Sequence, residues 1–115
     1  MAFAGGLGAR LFLNQVPNHI ESNAAATAVL LFSESNTRFL CEVPPDHTAA
    51  FEAALAGVPC ALVGEVVDTG RLEVIGLPQT GRDPETGESE EPRAPLVINA
   101  ELATLKAAWQ APLNW

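Results

Sequence analysis

Positive charge is scarce in this 115-residue chain: six Lys and Arg stand against fourteen Asp and Glu, for a formal charge of -8. Such a surface repels phosphate backbones and anionic lipid, which excludes nucleic acid and membrane surfaces as partners. Cysteine is nearly absent. Cys41 and Cys60 are too few and too far apart for a disulfide framework or a zinc site, and each stands among apolar residues that read as buried strand, so both are expected to be reduced core residues. Histidine is limited to His19 and His47, neither with a partner at metal-ligand spacing, and both are expected at the surface. No apolar run approaches the roughly 20 residues that span a bilayer, and the first residues lack the basic, apolar, small-residue order of a signal peptide. The expected location is the cytoplasm.

What the chain does have is globular composition, with 48% hydrophobic and 17% charged residues. That is enough apolar surface for one core but not for two, so residues 1–115 are expected to form a single domain with a thin stability margin.

The opening MAFAGGLG reads as the last turn of a helix stopped by Gly5 and Gly6. Ala9 to Leu13 reads as a short strand ended before Pro17, and Ser22 or Asn23 can cap a helix over Ala24 to Phe32. Thr37 to Val43 alternates, with Phe39, Cys41 and Val43 on one face and Arg38 and Glu42 on the other, as a half-buried strand requires. Pro44 and Pro45 end it. Phe51, Leu55 and Val58 then recur at helical spacing near the Gly57 stop. Cys60 to Val67 reads as an apolar strand, Asp68 to Gly70 as a turn, and Arg71 to Ile75 as the hairpin partner. Residues 77–95 collect Pro, Gly and carboxylates with little to bury, which predicts a mobile acidic loop. Leu96 to Ile98 is apolar again, Asn99 can cap, and Leu102, Leu105 and Trp109 line one face of a docking helix over 100–109. The fold class this order predicts is α+β, a two-layer α/β sandwich with helices on one face of a mostly antiparallel or mixed four-stranded sheet.

The candidate site is the polar cluster between an apolar helix and an apolar strand: Ser33, Glu34, Ser35 and Arg38. Hydroxyls and a guanidinium bind phosphate, and a carboxylate can orient them. A plain helix end and turn, with Arg38 paired to Glu34 or Glu42, accounts for the same residues. Gly5, Gly6 and Gly8 do not make a phosphate cradle, because such loops follow a strand and open a helix, whereas these follow a helix and precede a strand. The carboxylates between 83 and 91 belong to the acidic loop, without the fixed geometry of acid–base chemistry. Trp109 is expected to pack, and Trp115 to frame an interface. No catalytic residue and no metal ligand is expected in this chain.

Two stretches, the opening MAFAGGLGARL and LFSESNTRFLCEV from Leu31 to Val43, resemble the C-terminal region of the synthetase subunit of PurL-type phosphoribosylformylglycinamidine synthases, within the AIR synthase-related superfamily. The resemblance covers most of the chain. It implies an AIR synthase C-terminal-like domain truncated at its N-terminus, because the HDxSDGGL-type turn, the metal carboxylates and the catalytic histidine of that family lie upstream of the matching segment. It also implies an ATP-dependent ligase reaction in the parent enzyme: the amide oxygen of formylglycinamide ribonucleotide is phosphorylated, and glutamine-derived ammonia displaces the phosphate. ATP and magnesium then belong to the parent and none to this chain. The implied partners are the remainder of the synthetase, a glutaminase subunit and a small bridging subunit. On this reading the chain is a non-catalytic scaffold, with Ser33, Glu34, Ser35 and Arg38 as substrate-binding wall, and it is expected to form a homo-oligomer when isolated. The alternative is a stand-alone small anion-binding or protein-interaction module without turnover. A piece of an enzyme exposes an apolar face; an evolved module does not.

Overall fold

The computed structural model describes residues 5–20, 25–34, 38–80, 85, 89 and 91–113. Its described elements are β1 (Gly8–Phe12), α1 (Ala26–Phe32), α2 (Thr48–Ala54), β2 (Gly64–Val67), β3 (Arg71–Ile75), β4 (Leu96–Glu101) and α3 (Leu102–Gln110), with short 3-10 turns at Leu13–Gln15, Pro45–His47 and Ala111–Leu113. The α+β class is therefore observed: the four strands form one mixed sheet in the order β2-β1-β3-β4.

β1 is antiparallel to β2 and parallel to β3, and β3 is antiparallel to β4. The expected hairpin of β2 with β3 is thus not formed; β1 lies between them. Neighbouring strands stand about 4.8 Å apart, so β2 and β3 are separated by roughly 10 Å. The four Cα steps from Val67 to Arg71 reach at most about 14 Å, enough to step over one strand. Two glycines permit the crossing. Gly70 turns the chain with a φ of 62°, in the left-handed region. Gly8, buried beneath the turn, has no side chain to obstruct it: a Cβ there would lie 2.5 Å from both the Arg71 carbonyl oxygen and Thr69 Oγ1.

Alternation along the strands gives the sheet two unlike faces. Ala9 and Leu11 of β1 pair in register with Leu72 and Val74 of β3, which pair with Ala100 and Ile98 of β4, so these side chains share the apolar face. α1 covers it: Leu30 packs with Leu13 and Val74 in the buried cluster, flanked by Leu11, Val16, Ile20, Leu72, Leu77 and Ile98. Burying a side chain such as Leu30 contributes about 2 kcal/mol. Thr27 Oγ1 accepts a 3.2 Å hydrogen bond from the Leu77 N–H, tying α1 to the exit of β3. On the opposite face Arg10 bridges Glu73 of β3 at 2.8 Å and Glu65 of β2 at 3.7 Å. Arg71 donates to Asn99 Oδ1 at 2.6 Å and to Glu101 Oε1 at 3.2 Å. α3 docks at the end of the sheet, where Leu102 is buried and its N–H donates to the Gly70 carbonyl at 3.0 Å.

Other expectations are corrected locally. Arg38 to Val43 lies in no strand, and only Gly64–Val67 of the expected strand from Cys60 is paired. Cys41 and Cys60 are in consequence exposed, not core residues. Asn99 does not cap a helix; it lies within β4, and Glu101 precedes α3 without a side-chain cap. The helix from 48 ends at Ala54 and buries none of its residues, so Val58 is left exposed. The ends of 77–95 pair across their base, with Gln79 and Arg93 exchanging hydrogen bonds of 2.9 and 3.1 Å. Ser22 and Asn23, like Trp115, lie outside the described residues.

Candidate functional site

Ser33 ends α1. Its backbone turns extended, with φ -69° and ψ 131°, while its N–H still donates to the Val29 carbonyl. That kink releases the chain from the helix and puts the exposed Ser33 and Glu34 beyond the helix C-terminus. Arg38 is exposed on the following segment, and Ser35 lies outside the described residues. A helix C-terminus carries partial negative charge, so α1 itself opposes an anion here. Any phosphate bound at this end would rely on the Arg38 guanidinium and nearby hydroxyls. Arg38 is in none of the ion pairs among the described residues, so local pairing to Glu34 or Glu42 does not occupy it.

Apolar exposure beside this cluster is what sequence reasoning missed. Phe32, immediately before Ser33, is 77% exposed, and Phe39, immediately after Arg38, is 82% exposed. Phe32 ends α1 and Phe39 lies in no strand, so the burial of each depends on a surface outside its own segment. Two clefts lie elsewhere: one of about 290 Å³ is lined by Gly6, Gly70, Leu102, Ala103 and Lys106, and one of about 520 Å³ by Phe12, Gln15, Leu62, Gly64 and Glu65. Neither includes Ser33, Glu34 or Arg38, and both have mainly apolar walls. Among the described residues no three His, Cys, Asp or Glu side chains gather as a metal-binding group. No helix among them is long and apolar enough to cross a membrane.

Comparison with known proteins gives a family match. The family model for the AIR synthase related protein, C-terminal domain, matches residues 1–76, which contain Ser33, Glu34, Ser35 and Arg38. The phosphoribosylformylglycinamidine synthase subunit PurL of Nocardioides sp. is 41% identical over 76 residues, 64% of this chain and 10% of the relative. The subunit of the same name from Gluconobacter oxydans is 35% identical over 114 residues, 93% of this chain and 14% of the relative. That from Deinococcus radiodurans is 27% identical over 114 residues, 99% of this chain and 12% of the relative. The chain thus spans less than a sixth of the length of these curated relatives. No solved structure matches the chain.

Proposed function

Since the chain belongs to the AIR synthase related C-terminal domain family, we propose that it acts within a phosphoribosylformylglycinamidine synthase of purine biosynthesis, as scaffold and part of the wall facing the ribonucleotide substrate. The observation that carries this reading is the family match over residues 1–76, which takes in the polar cluster after α1. Ser33, Ser35 and Arg38 would meet the substrate phosphate through charge-assisted hydrogen bonds, with Glu34 orienting the guanidinium. The chemistry would lie elsewhere in the parent enzyme. ATP and magnesium would be held by the remainder of the parent enzyme, while in this chain Glu65 and Glu73 pair with Arg10 and Glu101 pairs with Arg71. Exposed Phe32, Phe39 and Leu62 favour a piece that meets further protein, such as the remainder of the synthetase, over a self-sufficient binding module. Glutaminase and bridging subunits would join through that remainder.

Calorimetric titration tests the reading. Formylglycinamide ribonucleotide is expected to bind the purified chain and to weaken about 10- to 100-fold in Arg38→Ala, the loss of one charge-assisted hydrogen bond or pair. Absence of binding, or equal binding by Arg38→Ala, would remove the substrate-wall assignment. ATP-dependent turnover by the purified chain would overturn the non-catalytic one.

A further inference from the structure

We propose that Arg71 guards the edge of the sheet at β4: it reaches from the inner strand β3 across β4, caps the outward carbonyl of Asn99, and so keeps a second copy of this chain from adding its own β4 there. The inference begins with the strand itself. β4 ends the described sheet, and Leu96 to Glu101 opens with three apolar residues, has neither Lys nor Pro, and leaves Leu96 51% and Val97 37% exposed. An edge of that kind is a template for another strand. Its first half is spoiled by the backbone. Pro95 stands just before it, and the register shifts at Val97, with Val74 facing Ile98 but Ile75 facing Leu96. From Ile98 to Glu101 the pairing with β3 is regular, so this half needs another protection.

The register shows which groups are open. The Leu102 N–H donates to the Gly70 carbonyl at 3.0 Å, which makes Gly70 and Leu102 a hydrogen-bonded pair. By alternation Leu72 with Ala100 and Val74 with Ile98 are bonded in the same way, so Asn99 and Glu101 turn their N–H and C=O groups away from β3. Arg71 takes the acceptor among them. Its Nη2 donates to the Asn99 carbonyl at 3.2 Å, its Nε to Asn99 Oδ1 at 2.6 Å and its Nη1 to Glu101 Oε1 at 3.2 Å. An incoming strand would have to displace the guanidinium from that carbonyl and desolvate a charge as it did so. Two neighbours aim the side chain at the edge. Gly8, one step before the Ala9–Leu72 pair, gives Arg71 nothing to pack on from the β1 side, whereas Glu101 stands directly opposite on β4. The planar fork of arginine suits the task, since it directs three donors at two residues of one strand.

Hydrogen exchange of the intact chain at rising protein concentration tests the proposal without any ligand, so the outcome is separate from that of the substrate assignment. In the unmodified chain the Asn99 and Glu101 amides are expected to exchange at rates independent of concentration, whatever association the exposed apolar side chains bring. In Arg71→Ala they are expected to slow at least about tenfold at high concentration and to recover on dilution, as β4 pairs with β4 of a second copy. Arg71→Met keeps the aliphatic stem and is expected to behave alike, which provides the measurement if the alanine variant does not fold. Glu101 already has a φ of -72°, which proline accepts. Adding Glu101→Pro to either variant therefore deletes an outward N–H while leaving the bonds from β4 to β3, and it is expected to make exchange at Asn99 independent of concentration again. Concentration-dependent slowing in the unmodified chain would overturn the proposal, because the edge would then be open with Arg71 in place. So would its absence from the folded Arg71 variants, or slowing that survives Glu101→Pro, which would place the contact elsewhere.

Discussion

Gly8→Ala is the substitution that most directly tests the crossing of the β2–β3 turn over β1. The added methyl would lie 2.5 Å from Thr69 Oγ1 and from the Arg71 carbonyl oxygen, and 2.9 Å from the Arg71 nitrogen. Two of these three atoms are backbone, in a turn already held by the Gly70 carbonyl accepting from Leu102, so the strain cannot be relieved by rotating a flexible side chain. Overpacking of this kind costs about 1–3 kcal/mol. Taking ~2 kcal/mol and a urea m-value of about 1.3 kcal/mol/M for a chain of this size, the unfolding midpoint should fall by about 1.5 M with m unchanged. The assay is urea unfolding followed by far-ultraviolet circular dichroism. Gly5→Ala serves as the control: a Cβ at Gly5 meets nothing within 4 Å, so it should unfold within about 0.5 kcal/mol of the unmodified chain. If Gly8→Ala matched Gly5→Ala, the turn would not cross where the structure places it, and the explanation for the absent hairpin would be wrong.

Further outcomes are expected. Val74, 2% exposed at the centre of the sheet, should cost about 2 kcal/mol as Val74→Ala by the same unfolding assay, and a neutral result would mean that the core lies elsewhere. Glu73→Gln should cost about 1 kcal/mol through its 2.8 Å pair with Arg10, with the difference shrinking in high salt; a salt-independent cost would point to shape and not charge. The chain should self-associate through its exposed apolar side chains, seen as a mass that rises with concentration in analytical ultracentrifugation, whereas a constant monomer mass would count against that surface.

The sequence by itself determined the fold class and most of the strand and helix positions, because these follow from alternation, helical spacing and punctuation by Pro and Gly. Gly8–Phe12, Arg71–Ile75 and the helix ending at Phe32 were legible in that way. So was the polar stretch after Phe32, since a break in apolar pattern between two elements needs no tertiary information. Which strand neighbours which was decided only in three dimensions. Asp68 to Gly70 is a turn whether its two strands pair or part; inserting β1 depends on the bare Cα of Gly8, a signal in the sequence whose meaning needs the crossing chain beside it. The same reason explains the cysteines and Phe39. Apolar alternation declares that a face is fit for burial, but burial itself needs a second surface, and around Cys41, Cys60 and Phe39 the tertiary structure provides none.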